Sequence, residues 1–307
     1  MANYTFTKEA KLFLVYGAVK YRVDINAISF SQSFQEKSYK VKTLHNQVGF
    51  EGSSINRANP AEFSFNTPLL EEKRHEVVFN RLLDYATFDL YISSGQDVYK
   101  LDKCVIQDGT FEINKSRPLR LSVTGEASKL SKLSAEEIVT LGNITLYTGG
   151  TSTTTYIVPR ITSLLLGGID ISSDVTALGV EIQNDLDWDK FETLQGAVSA
   201  TNAATSMFPN SITPGTRVVA GSISKHLSST AGIIHSPNLL SWNTDTPLVL
   251  KAGVGVGAAF RGVSFNFTNC SFTNRFQDGE VFMEEYSWRL TQRDTALAGL
   301  ITYTTNT

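Results

Sequence analysis

The 307-residue chain is 41% hydrophobic and 19% charged, with 27 Lys and Arg against 30 Asp and Glu, for a formal net charge of −3. Such a length buries a substantial core without cross-links. The slight acidic excess excludes a protein that grips nucleic acid through its phosphates, which takes a surplus of Lys and Arg. Two cysteines, Cys104 and Cys270, are too few for a disulfide scaffold or a Cys-rich zinc site.

Taken in chain order, the N-terminal MANYTFTKEA has no basic segment leading into an apolar one, so no secretory signal is expected. The apolar stretch 12–19 falls far short of the ~20 residues that span a bilayer. Residues 21–25, 62–66, 87–92, 118–124 and 262–268 each alternate apolar and polar side chains. This is the pattern of antiparallel strands with one buried and one solvated face. Asp108-Gly109 and Asp278-Gly279 read as tight turns. One segment, 69–85, reads as a helix, with Thr67 as N-cap and Pro68 at its first position. Val78, Phe79, Leu82 and Leu83 form its apolar stripe, and His75 reads as a surface residue.

The second half echoes the first. Cys104 and Cys270 both end alternating runs, VYKLDKC and SFNFTNC, 166 positions apart. At that offset 119–127 lies against 285–293, and upstream 28–44 lies against 178–194 at an offset of 150. Each half then carries a long Gly-, Asn- and Ser-rich segment (45–60 and 195–216), a strand, and a Ser/Thr-Pro start to a helix or its remnant (236–242 in the second). The order predicts a first domain over 1–132, a linker over 133–158 and a related second domain over 159–307.

Loops of ~12–15 residues without structure of their own are uncommon in compact domains and tend to be functional. These two are poor in charge yet hold Val48, Phe50, Ile55 and Arg57 in the first, and Val198, Met207, Phe208 and Ile212 in the second. Such loops read as arms that order on another subunit; the alternative is a loop folded back over its own domain.

With these features in view, the chain resembles the tail tube proteins of long-tailed bacteriophages, in the variety whose tube domain is duplicated. PAEFSFNTPLL (60–70), VYKLDKCVIQDGTFEIN (98–114), RLSVTGEASKL (120–130), GGIDISSDVTALGVEIQ (167–183) and VSFNFTNCSF (263–272) carry the resemblance. It implies a mainly β fold of two tandem tail-tube domains, each an antiparallel β-sandwich or half-barrel with one flanking helix. It further implies trimeric, pseudo-hexameric rings whose sheets join into one barrel, with the arms locking ring on ring. The implied partners are further copies of the chain, a tape measure protein, baseplate or distal tail and tail terminator proteins, and a sheath if the tail contracts. DNA would pass through without specific binding. The implied place is the virion tail, assembled in the host cytoplasm.

An acidic lumen suits a conduit that must not hold a polyanion. Strand geometry puts Asp185, Asp187 and Asp189 on one face, a candidate lumen row, although the matching first-half residues Gln35, Lys37 and Tyr39 are not acidic. The same aspartates fail as a calcium loop, since Lys190 stands where Gly is needed and Gly196 where Glu is. His45, His75, His226 and His235 lack metal-ligand spacing, so no metal or cofactor is expected. Gly253, Gly255 and Gly257 read as a hairpin or close backbone approach, not a dinucleotide fingerprint, and Ser222 with Lys225 has no partner motif for catalysis. Cys104 and Cys270 read as matching buried core residues. Two rivals stand beside the tube subunit: a distal tail or baseplate ring protein of the same fold, and a β-rich adhesin or carbohydrate binder using Trp188, Trp242 and Trp288. An enzyme is not expected.

Overall fold

A computed structural model describes residues 10–41, 50–94, 97–113, 117–149, 155–189, 207–226, 246–278, 280–291 and 296–305. The fold is mainly β. The first half holds β1 (Lys11–Tyr16), β2 (Val19–Val23), β3 (Ala27–Ser31), β4 (Phe34–Val41), β5 (Phe50–Ala58), β6 (Ala61–Pro68), α1 (Glu76–Asp84), β7 (Phe88–Ser94), β8 (Asp97–Ile113), β9 (Arg120–Ala127), β10 (Lys129–Lys132), α2 (Ala135–Asn143) and β11 (Thr145–Leu146). The second holds β12 (Arg160–Leu166), β13 (Ile169–Asp170), β14 (Val175–Trp188), β15 (Ile212–His226), β16 (Thr246–Val254), β17 (Arg261–Gln277), β18 (Met283–Leu290), α3 (Leu297–Leu300) and β19 (Ile301–Thr304).

Two 17-residue strands organise the pairing. β8 holds β7 and then β14 along one edge, and β10 and then β9 along the other. β17 holds β16 along one edge, and β19 and then β18 along the other. Outside these, β9 pairs β6 and β6 pairs β3, as β18 pairs β15 and β15 pairs β14.

Residue rows match across the halves. Phe88 stands opposite Cys104 and Leu90 opposite Leu101, as Thr246 stands opposite Cys270 and Leu248 opposite Phe267. The row Ile28–Phe65–Val123–Gly109 corresponds to Leu178–Ile223–Tyr286–Asn274. The offsets of 166 and 150 hold at the cysteines and at Ile28 and Leu178, but Gly109 matches Asn274 at 165 and Val123 matches Tyr286 at 163. The ladder breaks at Gln107 in β8, which has no counterpart in β17, and the following hairpin is shorter in the second half.

Helix α1 begins later than the sequence predicts. Pro68 ends β6, where a missing N–H costs only the last ladder bond, and a 3-10 turn at Lys73–His75 leads into Glu76. Val78, Phe79, Leu82 and Leu83 face the sheet as expected. Leu82 lies so close to Gly109 that a Cβ there would meet its Cδ2 at 2.3 Å. Gly109 is therefore a mid-strand approach point, where the sequence reading put a turn. Helix α2 falls in the expected linker and carries a capping box: Ser134 Oγ accepts from Glu137 N, and Glu137 Oε2 accepts from Ser134 N.

One core runs through both halves. Phe79 of α1 meets Phe111 (centroids 5.9 Å), Phe111 meets Phe265 (5.5 Å), and Phe267 meets Trp288 (5.4 Å). Trp188 and Trp288 are buried in the core and do not line a sugar groove; Trp242 lies outside the described residues. Cys104 and Cys270 are fully buried and unbridged, and burial pushes both thiols up, Cys270 to about 12. His75 is fully buried, not at the surface: the 3-10 turn aims it inward, where Nε2 accepts from Asp24 N at 3.3 Å. Burial, then the neighbouring Arg74 charge, lowers its pKa to about 4.

Phe111 joins α1 to both halves, so Phe111→Ala is expected to cost about 3–5 kcal/mol in denaturant unfolding. His75 gives a pH signature. Its folded pKa lies below the unfolded value of 6.5, so its contribution is fully present above pH 6.5 and is lost as pH falls toward 4, roughly 3 kcal/mol in all. Unfolding midpoints measured from pH 7 to 4 should fall less steeply in His75→Gln than in the parent.

Candidate functional site

The pairing joins eight strands into one antiparallel sheet, β3-β6-β9-β8-β14-β15-β18-β17. Period-2 alternation buries one face against α1 and the core and leaves the other polar. In β14, Ile182, Asn184, Leu186 and Trp188 are buried, while Glu181, Gln183, Asp185 and Asp187 are exposed. The open face is rich in Ser and Thr, and its hydroxyls bond across strands: Ser29 with Ser64 (2.8 Å), Thr124 Oγ1 to Asp108 Oδ2 (2.9 Å). Glu62, Asp108, Glu112, Glu126, Glu181 and Glu285 outweigh Arg120, Arg275 and Arg289 on it, before Asp185 and Asp187 are added. The face is weakly acidic.

The aspartate row divides. Asp185 and Asp187 continue this open face, as strand geometry predicts. Asp189 is half-buried, and its carboxylate accepts from the hydroxyls of Ser211 and Thr213. It closes the base of its own arm.

Within the described residues the predicted arms hold strand, β5 in the first and the start of β15 in the second. β4 and β5 form a separate two-stranded hairpin, which leaves the large sheet at Gln32–Ser33 and Asn59–Pro60. A polar network holds that bend: Arg57 Nε donates to Gln35 Oε1 (2.6 Å), Gln35 Nε2 to Asn59 Oδ1 (2.9 Å), and Asn59 Nδ2 to Ser33 Oγ (2.8 Å). Arg57 thus braces the hairpin at its root. Beyond the root the hairpin exposes Tyr39 (54%) and Ile55 (52%). Phe50 begins β5, while Val48 and Val198 lie outside the described residues.

In the second half β14 and β15 stay in the large sheet, with an irregularity between Asn184 and Leu186. Asn184, buried, donates to the carbonyls of Leu82 and Ile106 and accepts from Arg217 Nε (2.6 Å), tying the end of α1 to both halves. Ile212 starts β15, half-buried. Met207 and Phe208 lie on the first half of the same chain. Met207 O accepts from Ala58 N (2.8 Å), and Phe208 sits edge-on to Phe34 (6.4 Å) under the Lys129 ammonium (5.0 Å). Ser128 Oγ donates to Pro209 O, and Lys103 Nζ to Asn210 Oδ1 (2.6 Å). The base of this segment therefore folds back within the chain, but onto the first half and not over its own half.

Sequence reasoning missed the polar residues on the core face of the second half. Lys225 and Glu284 are buried and stand opposite each other in β15 and β18. Glu284 Oε1 accepts from Asn274 Nδ2 (3.2 Å). Lys225 keeps strict alternation with Ile223, which was the available signal. Among the described residues no cluster of His, Cys, Asp and Glu could hold a metal ion, and no helix is long and apolar enough to cross a membrane.

Comparison with known proteins finds two similarities. The model of the Bacteriophage Baseplate Tube Protein Family matches residues 2–85, from before β1 through α1. Among individual proteins, the chain is similar to the baseplate tube protein p140 of Escherichia phage T5, with 26% identity over 150 residues. That alignment covers 43% of this chain and spans half the length of the relative. The two matches support a structural protein of a phage tail or baseplate tube.

If Asn184 ties α1 to the sheet, Asn184→Leu should leave the Leu82 and Ile106 carbonyls and the Arg217 guanidinium short of a partner. A loss of about 1–3 kcal/mol is expected in denaturant unfolding.

Proposed function

We propose that the chain is a tube subunit of a phage tail, placed at its baseplate end, and that three copies close into a ring around a channel. The observation that carries this reading is the eight-stranded sheet, with a polar face and, among the described residues, no strand on the outer edge of β3 or on the edge of residues 271–277 opposite β18. Open edges of this kind are templates for pairing, and closure removes them. Three copies supply about 24 strands; at ~4.8 Å spacing and ~40° tilt the backbone diameter is ~48 Å, a channel and not a filled barrel.

In this reading the halves are two related tube domains, which gives the trimer pseudo-sixfold symmetry. The polar face lines the channel, and its acidic excess keeps DNA sliding instead of adsorbed. The core side, with α1, faces outward. The β4–β5 hairpin reaches the adjoining ring through Tyr39 and Ile55, and Val48, Phe50, Val198 and Ile212 belong to the same inter-ring zone. Met207, Phe208 and Arg57 hold the arm bases. A head-to-tail contact between rings builds a stack. Its other partners are the tape measure protein inside, neighbouring baseplate and tail proteins at its ends, and a sheath where the tail contracts. The baseplate position rests on the names that both matches carry. It predicts one or a few rings per virion, against many for a tail-long tube.

Negative-stain electron microscopy and sedimentation of concentrated protein are expected to show annular particles of three chains, singly or stacked. A monomer that binds glycans and stays monomeric beside other tail proteins would favour the carbohydrate-binding alternative. In Tyr39→Ser/Ile55→Ser both replaced side chains are exposed, so rings should persist while stacks are lost.

A further inference from the structure

The chain contains, once, the joint that a ring must make between chains. Its two halves meet where β8 pairs β14: Ile113 opposite Leu178, Phe111 opposite Val180, Thr110 opposite Glu181, Gly109 opposite Ile182. Phe111 and Val180 are buried there, at 0% and 1% exposure.

Both sides of that joint have counterparts at the open edges. The matching rows equate Ile28 with Leu178, and hence Phe30 with Val180 and Gln32 with Ile182. They equate Gly109 with Asn274, and hence Phe111 with Phe276 and Thr110 with Arg275. The second equation is reached independently from the cysteines: Cys104 matches Cys270, and omitting the ladder break at Gln107 brings Gly109 onto Asn274.

The edge residues carry the marks of a joint left open. Phe276, at the position where Phe111 is fully buried, is 48% exposed. Phe30 is half-buried, leaning on Tyr99 with centroids 5.7 Å apart. On the polar face, Arg275 is exposed, while at the other edge Ser31 stands opposite Glu62 and Glu62 opposite Glu126. Superimposing the internal joint on these edges puts Phe276 of one copy on Phe30 of the next. It sets Arg275 opposite Ser31, in a row that runs on into two carboxylates. Apolar meets apolar on the core side, and cation meets anion on the channel side.

We infer that neighbouring copies pair β17 of one with β3 of the next, antiparallel, with Arg275 opposite Ser31 and Phe276 opposite Phe30. This rests on the ring reading but fixes which edges meet and in what register. A one-residue slip would turn Phe276 into the channel and Arg275 into the core.

The test uses the full chain. In Ser31→Cys/Arg275→Cys the two thiols of adjoining copies come within the Cα range of a disulfide, while Cys104 and Cys270 stay buried. Mild oxidation is expected to give covalent species of up to three chains on a non-reducing gel. Ser29→Cys/Thr273→Cys, about 13 Å out of register, should give none. Phe276→Asp, at an exposed site, should keep the monomer fold and lose the ring in sedimentation. If rings form but the matched pair fails to cross-link, the mismatched pair links as readily, or Phe276→Asp assembles like the parent, the register is wrong and the ring reading stands. If the parent forms no rings, or only dimers, both fall.

Discussion

A β-strand has two edges of backbone donors and acceptors, and each edge must be satisfied by something. Most of this structure follows from how β8 and β17 meet that requirement. Seventeen residues are more than one neighbour can pair, so each strand runs from one set of partners to another. β8 has both edges filled along its C-terminal half only because the second half of the chain supplies β14. β17 has no third half to do the same. The difference between a buried Phe111 and a half-exposed Phe276 is the side-chain record of that shortage.

Helix α1 shows why the two halves are a single body. Its stripe of Val78, Phe79, Leu82 and Leu83 lies on β8, and Gly109 lets it approach closely. Asn184 and Tyr303, both from the second half, bond the carbonyls of Leu82, in the last turn of the helix, and of Leu70, ahead of it. Covering the joint from above, α1 excludes water from the row in which Phe111 meets Val180. A strand pair with one dry face has a strongly specified register.

Much of the sheet was legible because alternation is a local signal: the strands around 62–66, 87–92, 118–124 and 262–268 lie where the pattern puts them. The repeat was legible where its spacing is uninterrupted, at the cysteines and at Ile28 and Leu178. It misled between β9 and β18, because a ladder irregularity and a shorter hairpin change the residue count without changing the order. The start of α1 was misplaced because Thr-Pro reads equally well as a helix cap or a strand end, and tertiary pairing with β9 decides it. His75 shared the helix with charged neighbours, and only the 3-10 turn, invisible in periodicity, directs it inward. Length and apolar content single out the segments 45–60 and 195–216, but composition does not distinguish the bracing Phe208 and Arg57 from the outward Tyr39 and Ile55. That distinction comes from contacts with Phe34, Lys129 and Gln35, remote in sequence.

The halves differ most where β4 and β5 bend away from the large sheet while β14 and β15 remain in it. If three copies close as proposed, the six sheet segments would be alike but the projections would alternate, a free hairpin following a sheet-bound one. A second ring laid on the first would then find three equivalent angular settings and not six. In the proposed ring, the bend at Asn59 and Ser33 would act as a key, halving the number of ways in which rings can be superposed.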